Sequence, residues 1–328
     1  MPDNKNNKKI VAIGGGTGLF TLLSGLKEYT ENLTAIVTIT DSGGCSGILR
    51  DELGFLPMGD IRKCLIALSE SKELMYKFFN YRFEKGSLSG RSMGNLLMAA
   101  LTDINQGNFL ETLEQLSLVL AIKGKVLPAS LENLTLYAKL EDGKIIKGES
   151  EINGYYKHSH IINTNKLKNR AKISSLFTIP KAQALPIAIK AIKEADLIII
   201  GPGSLYTSLI PNLLMKGMQE AIKSSKAKKV YVCNIMTQLG ETNGYSALDH
   251  FKTMEKYLGQ GVITHIILNN SSAPKYLLEK YGEEYQELIK PDIGKIKGVN
   301  IIKRNFIKAN VLVRHDPKKL AETIIKIA

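Results

Sequence analysis

Apolar positions fall in short blocks separated by glycine and hydroxyl turns. Ile10 to Ile13 is a continuous apolar run, the pattern of a strand buried on both faces. Three glycines, Thr17 and Gly18 follow, and then Phe20, Leu22, Leu23 and Leu26 fall on one side of a predicted helix. Leu33 to Thr40 is a second, β-branched strand. Lys125–Ser130 reads as a strand-to-loop element, and further strands are predicted at Asp196–Ile200, Lys228–Ile235, Val262–Leu268 and Asn310–Arg314. Helical periodicity is predicted over Ile61–Leu68, Glu73–Tyr81, Leu96–Leu101, Phe109–Leu120, Ala184–Ala195, Leu213–Ser224 and Leu277–Tyr285. Asp316 and Pro317 start a last helix as N-cap and first residue. Strands alternating with helices predict an α/β fold with a doubly wound, mostly parallel sheet. Around Asp142-Gly143 the pattern changes to strict alternation, a hairpin signal, so residues of about 131–178 read as a strand-rich excursion. The expected organisation is a polar tail at 1–8 and one α/β domain over 9–328.

The turns after the strands hold the chemistry. Gly14, Gly15, Gly16, Thr17 and Gly18 join a strand to a helix N-terminus, where backbone N–H groups and the helix dipole favour an anion. The dinucleotide fingerprint fails at its third position, where Leu19 stands, and no Gly-Lys-Ser/Thr follows, so neither a hydride-transferring dehydrogenase nor a Walker loop is indicated. A tight turn with no ligand is the alternative. Asp41, at the end of the second strand, precedes Gly43 and Gly44; it is a ribose contact or the start of an Asx turn. Asp60 reads as the cap of Ile61–Leu68, with ligand or metal contact compatible with that role. Asn95 is an N-cap or an amide aimed at a ligand. A second strand–glycine–hydroxyl turn, Gly201, Gly203, Ser204, Leu205, Tyr206 and onward to Ser208, is expected to face the first across the crevice at the strand C-termini. The exit Asn234–Thr242, with Thr237 and Gln238, is expected to form a third wall.

Composition narrows the class. The 328 residues include 44 basic and 31 acidic side chains, a net charge of +13, which favours anionic partners without naming them. No basic–aromatic interleaving points to nucleic acid. Cys45, Cys64 and Cys233 are far apart, predicting a reducing compartment and no structural zinc. His158 and His160 lack nearby ligand-type residues and read as surface histidines. With no apolar run of about 18 residues and no signal-peptide pattern before the first strand, a soluble cytoplasmic protein without a transmembrane segment is expected.

Taken together, GGGTGL at 14–19, TDSGGCSGILR at 40–50, GDIR at 59–62, MGNLL at 93–97, VLPAS at 126–130, IGPGSLYTSLIPNLL at 200–214, NIMTQLGET at 234–242 and VRHD at 313–316 resemble the gluconeogenesis-factor (YvcK-like) family, related to the 2-phospho-lactate transferases (CofD-like). The resemblance runs from Lys9 to the C-terminus. It implies a Rossmann-like fold and a bound UDP-sugar, with UDP-N-acetylglucosamine the leading candidate and Mg²⁺ a possible companion held by Asp41 and Asp60. It implies support of cell shape and wall synthesis during growth on gluconeogenic carbon sources, with wall or morphogenesis proteins and a homo-oligomer as candidate partners. Tyr281 and Arg314 are implied ligand contacts. Two departures stand out: Ser42 replaces the second of a usual aspartate pair, and Arg91 in GRSMGN stands where relatives carry histidine. Both remove groups a reaction would use, so no catalytic residue is nominated and a binding protein is expected. The alternative is a CofD-like transferase moving a phosphate-linked group to an acceptor.

Overall fold

The computed structural model describes residues 7–70, 73–154 and 164–328; His158 and His160 lie outside them. The central sheet contains β1 (Ile10–Gly14), β2 (Leu33–Val37), β3 (Lys125–Pro128), β7 (Leu197–Ile200), β8 (Lys228–Val232), β9 (His265–Asn269) and β10 (Asn300–Arg304). Their order is β10-β9-β8-β7-β1-β2-β3, and every neighbouring pair is parallel. The chain therefore starts in the middle, builds outward through β2 and β3, and returns to the other side of β1. The direction of winding reverses between β1 and β7, which places a crevice at their C-terminal ends. β1 and β7 are buried along their whole length, because helices cover both faces of the sheet. Their apolar side chains belong to one core that extends from Ile10 to Ile327.

The excursion is a separate antiparallel sheet of β4 (Thr135–Leu140), β5 (Ile145–Lys147) and β6 (Ile173–Ile179), ordered β5-β4-β6. Along β4 buried positions alternate with half-buried or exposed ones, as a sheet with one wet face requires. β11 (Ile307–Ala309) pairs antiparallel with β12 (Val313–His315). The helices that matter to the site are α1 (Gly16–Leu26), α2 (Gly44–Leu53), α3 (Gly59–Leu68), α4 (Glu73–Asn80), α5 (Met93–Ile104), α6 (Phe109–Val119) and α7 (Glu149–Asn153).

Several boundaries differ from the sequence pattern. β2 stops at Val37, and Thr38 and Thr40 continue as buried loop joined by their hydroxyls (2.9 Å). Helix α2 begins at Gly44, inside what reads as a glycine loop; Gly47 fits there because a Cβ would lie 2.3 Å from the Ser42 carbonyl. The segment after β7 coils earlier than predicted, first as a π-type turn at Leu205–Leu209, then as Ile210–Leu213, before Met218–Ser224. Edge strand β10 escapes the pattern because its burial is only partial. The predicted cap of the last helix is present: Asp316 accepts from Lys318 N–H (2.9 Å) and Lys319 N–H (3.1 Å).

Candidate functional site

Two glycine turns meet at the crevice. Gly14 closes β1, Gly15 is extended, and Gly16 has φ +65°, a left-handed conformation that favours glycine. Gly18 has a different constraint. A Cβ there would lie 2.4 Å from the Pro202 carbonyl oxygen and 2.9 Å from the Gly203 nitrogen. The first turn of α1 thus presses directly on the turn after β7, and only glycine permits that approach. Gly201 has φ +88°, and a Cβ on it would be 2.8 Å from the Val232 carbonyl. Leu209 N–H reaches back to the Ser204 carbonyl (3.0 Å), five residues earlier, and Asn212 Nδ2 donates to the Gly14 carbonyl (3.3 Å). The facing arrangement expected from the two motifs is present.

Part of the N–H surface of both turns is already taken by carboxylates. Gly16 N–H donates to Asp60 Oδ2 (2.7 Å), and Lys63 Nζ holds the other oxygen (3.0 Å). Asp60 is not the cap of α3. It sits in the first turn behind Met58, and its side chain reaches across to the glycine turn instead. Burial pulls the Lys63 ammonium down, but the charge and hydrogen bond of Asp60, together with the charge of Asp41, outweigh it and the net shift is upward. On the other turn, Glu241 Oε2 accepts from Tyr206 N–H (3.0 Å), while Oε1 accepts from Thr207 Oγ1 (2.8 Å) and Gln238 Nε2 (2.8 Å). Burial raises the Glu241 carboxyl to about 7 despite these donors. Gly203 N–H donates to Asn234 Oδ1 (3.2 Å).

Asp41 does form an Asx turn, accepting from Gly43 N–H (2.9 Å). Burial, and then the charge of Asp60, raise its carboxyl above the usual range. Ser42 ties this loop to the excursion: its Oγ accepts from Ser150 N–H (3.0 Å) at the start of α7. That contact brings Glu149 beside Gly43, where burial and then Asp41 and Asp60 push its carboxyl up to about 8. Gly44, at φ +44°, faces open space. Both Asp60 oxygens and one Asp41 oxygen already accept hydrogen bonds. Among the described residues no group of three or more His, Cys, Asp or Glu is arranged to hold a metal ion. Asp41 and Asp60 therefore do not fit a metal centre held by the protein alone.

The open space lies just outside these carboxylates. One cleft, of about 260 Å³, is lined by Thr17, Gly18, Gly203, Ser204, Asn234 and Arg314, among others. Leu19 N–H makes the first intrahelical bond of α1, to Gly15 (3.4 Å). The Thr17 and Gly18 N–H groups precede it, at the positive end of the helix. Arg314 is exposed on β12, and no ion pair involves it among the described residues. Asp316, its nearest acid in sequence, caps the last helix. A second hollow of about 300 Å³ adjoins the first through Met236, Gln238 and Val313, and contains Tyr281 and Thr237. Tyr281 Oη accepts from Val313 N–H (3.3 Å), and Thr237 Oγ1 from Glu287 N–H (2.8 Å).

Other expected site residues fall elsewhere. Asn95 is neither cap nor cleft residue; Ser92 precedes α5, and the buried Asn95 amide accepts from Arg62 Nε (2.8 Å) and donates to Ser46 (3.4 Å). Gly94 allows this, since a Cβ would be 2.6 Å from Arg62 Cδ. Leu205 and Tyr206 are buried, the Tyr206 hydroxyl pairing with Tyr245 (2.9 Å). Arg91 accepts through its carbonyl from Phe83 N–H (3.0 Å) and does not line the cleft. Sequence reasoning missed Glu241 and Asn234, although both lie in the quoted segment 234–242, and His315, next to Arg314. It missed Glu149 for want of any local signal, because only the folding of the excursion brings it in.

This fold and crevice define a class. The chain belongs to the family described as 2-phospho-L-lactate transferase CofD, whose model matches residues 10–307. It is 43% identical over 324 residues to the gluconeogenesis factor of Bacillus subtilis, covering 97% of this chain and 98% of the relative. The gluconeogenesis factor of Halalkalibacterium halodurans is 44% identical over 324 residues, with 97% and 96% covered. A crystal structure of a UPF0052-family protein from Bacillus halodurans, 43% identical, superposes with a TM-score of 0.90 over 98% of this chain and all of that one.

Proposed function

We propose that this protein is a cytoplasmic UDP-sugar-binding regulator, with UDP-N-acetylglucosamine as ligand, that supports cell shape and wall synthesis during growth on gluconeogenic carbon sources. The observation that carries the reading is the convergence of Arg314, the first-turn N–H groups of Thr17 and Gly18, and Ser204 on one cleft at the switch point between β1 and β7. A guanidinium fork and helix N-terminal N–H groups are complementary to a diphosphate. Because Asp60 and Glu241 hold the Gly16 and Tyr206 N–H groups, the diphosphate sits on Thr17, Gly18, Ser204 and Arg314 rather than along both turns. Any Mg²⁺ arrives with the diphosphate, as that ion commonly does.

The same residues argue for binding without turnover. The Asp41 and Asp60 carboxylates are engaged by the protein, and no cysteine is exposed as a nucleophile. The transferase reading rests on the placement of those two carboxylates beside the glycine turn and on the family description. Titration calorimetry with UDP-N-acetylglucosamine tests binding. Phosphorus NMR of the same mixture with Mg²⁺ tests turnover, and protein-dependent appearance of UDP, UMP or a new phosphodiester would overturn binding without turnover in favour of a transferase or hydrolase.

A further inference from the structure

The two halves of the cleft differ in their chemistry. The half at Thr17 and Gly18 contains Arg314 and His315 together with helix N-terminal N–H groups, an anion's surroundings. The half at Tyr281 contains no Lys, Arg or His among its described lining residues. Its polar lining includes three side-chain amides: Asn153, Gln238 and Gln286. Each amide has its nitrogen turned to a carboxyl group of the protein: Gln238 Nε2 to Glu241 (2.8 Å), Gln286 Nε2 to Glu284 (3.1 Å) and Asn153 Nδ2 to Glu149. In each of these contacts the amide nitrogen is the donor, which leaves the carbonyl oxygen as the remaining edge of all three amides. Asn153 Oδ1 is buried with no partner. Glu284, on the rim, adds a further acceptor. The wall is therefore acceptor-rich, and Tyr281 supplies an aromatic ring whose hydroxyl is already engaged by Val313 N–H.

Resting on the UDP-sugar reading, we infer that the Tyr281 hollow is the subsite for the ligand's sugar and not for its base. A pyranose presents several hydroxyl donors and an apolar face that packs on an aromatic ring. Uracil presents two carbonyl acceptors around a single N–H, and would leave acceptor facing acceptor in a partly buried site. The diphosphate at Arg314 then directs the nucleoside away from Tyr281.

The test is calorimetry on the full chain with UDP and with UDP-N-acetylglucosamine, for wild type, Gln286→Leu and Asn153→Ala, each checked for wild-type circular dichroism. Each variant is expected to bind the nucleotide sugar about tenfold more weakly, the loss of roughly one buried hydrogen bond, and to bind UDP within twofold of wild type. If both ligands weaken equally, the base occupies the hollow and the inference is overturned. If neither ligand weakens, the hollow is not a subsite and the inference is again overturned. Wild type binding neither ligand would instead overturn the UDP-sugar reading, and this inference with it. Saturation-transfer NMR on wild type gives a readout that needs no variant: pyranose protons should receive more saturation than uracil H5 and H6 when the Tyr281-side aromatic signals are irradiated. The reverse order overturns the assignment.

Discussion

Replacing Gly18 by alanine would set one methyl group against backbone. The added Cβ would stand 2.4 Å from the Pro202 oxygen, 2.6 Å from its carbonyl carbon and 2.9 Å from the Gly203 nitrogen. A carbon–oxygen contact wants at least about 3.4 Å, so the turns must separate by about 1 Å. None of the three atoms belongs to a side chain that could rotate away. Overpacking of this kind costs about 1–3 kcal/mol. For a chain of this length, with an unfolding entropy of roughly 2.1 cal/mol/K per residue, that lowers the melting temperature by about 2–4 °C. The displacement also moves Ser204 and the Thr17 N–H away from Arg314, so UDP-N-acetylglucosamine affinity should fall at least about tenfold, about 1.4 kcal/mol. Gly282→Ala is the matched control: a Cβ there meets nothing within 4 Å, and the site is helical, so stability should hold or rise. Differential scanning calorimetry and ligand titration on both variants settle the matter. Wild-type melting and wild-type affinity in Gly18→Ala would refute the close approach of the two turns as the basis of the cleft.

Arg314→Ala should weaken ligand binding by roughly 10- to 100-fold, as loss of a charge-assisted phosphate contact does, with the melting temperature unchanged; a shift in melting alone would make it a structural residue. Asp316→Ala should do the opposite, costing about 1 kcal/mol through the lost cap while sparing affinity, as thermal melts and titrations on the same sample will show. Stability should fall as pH rises through 7–8, because Glu149 and Glu241 have folded-state values of about 8 and about 7, above the ordinary 4.5. Their stabilising contribution is complete below about pH 4.5 and is lost as each ionises in the folded state. Denaturant titrations at about pH 6 and pH 8.5 should show a smaller loss in Glu149→Gln than in wild type; equal losses would remove Glu149 from the linkage.

The strands and their glycine exits are legible in the sequence because both signals are local. A fully apolar run such as Leu197–Ile200 can only be buried, and four glycines within five residues mark a turn that brings backbone close to something. The cap at Asp316 and the hairpin at Asp142-Gly143 were legible for the same reason. What the glycines approach was not local. Gly18 approaches Pro202, 184 positions further along the chain, and that follows only from β7 returning to pair with β1. Asp60 has the sequence position of a cap, but the packing of α3 against α1 turns it onto Gly16 N–H, where it displaces the role expected for a phosphate. Asn95 sits in a motif that resembles a ligand contact, yet Arg62 beneath α5 takes its amide. Local patterns determine which residues are apolar, turning or capping. The pairing of each N–H and carboxylate across the crevice depends on strand order and helix packing, and tertiary contact alone decided which donors remain for a ligand.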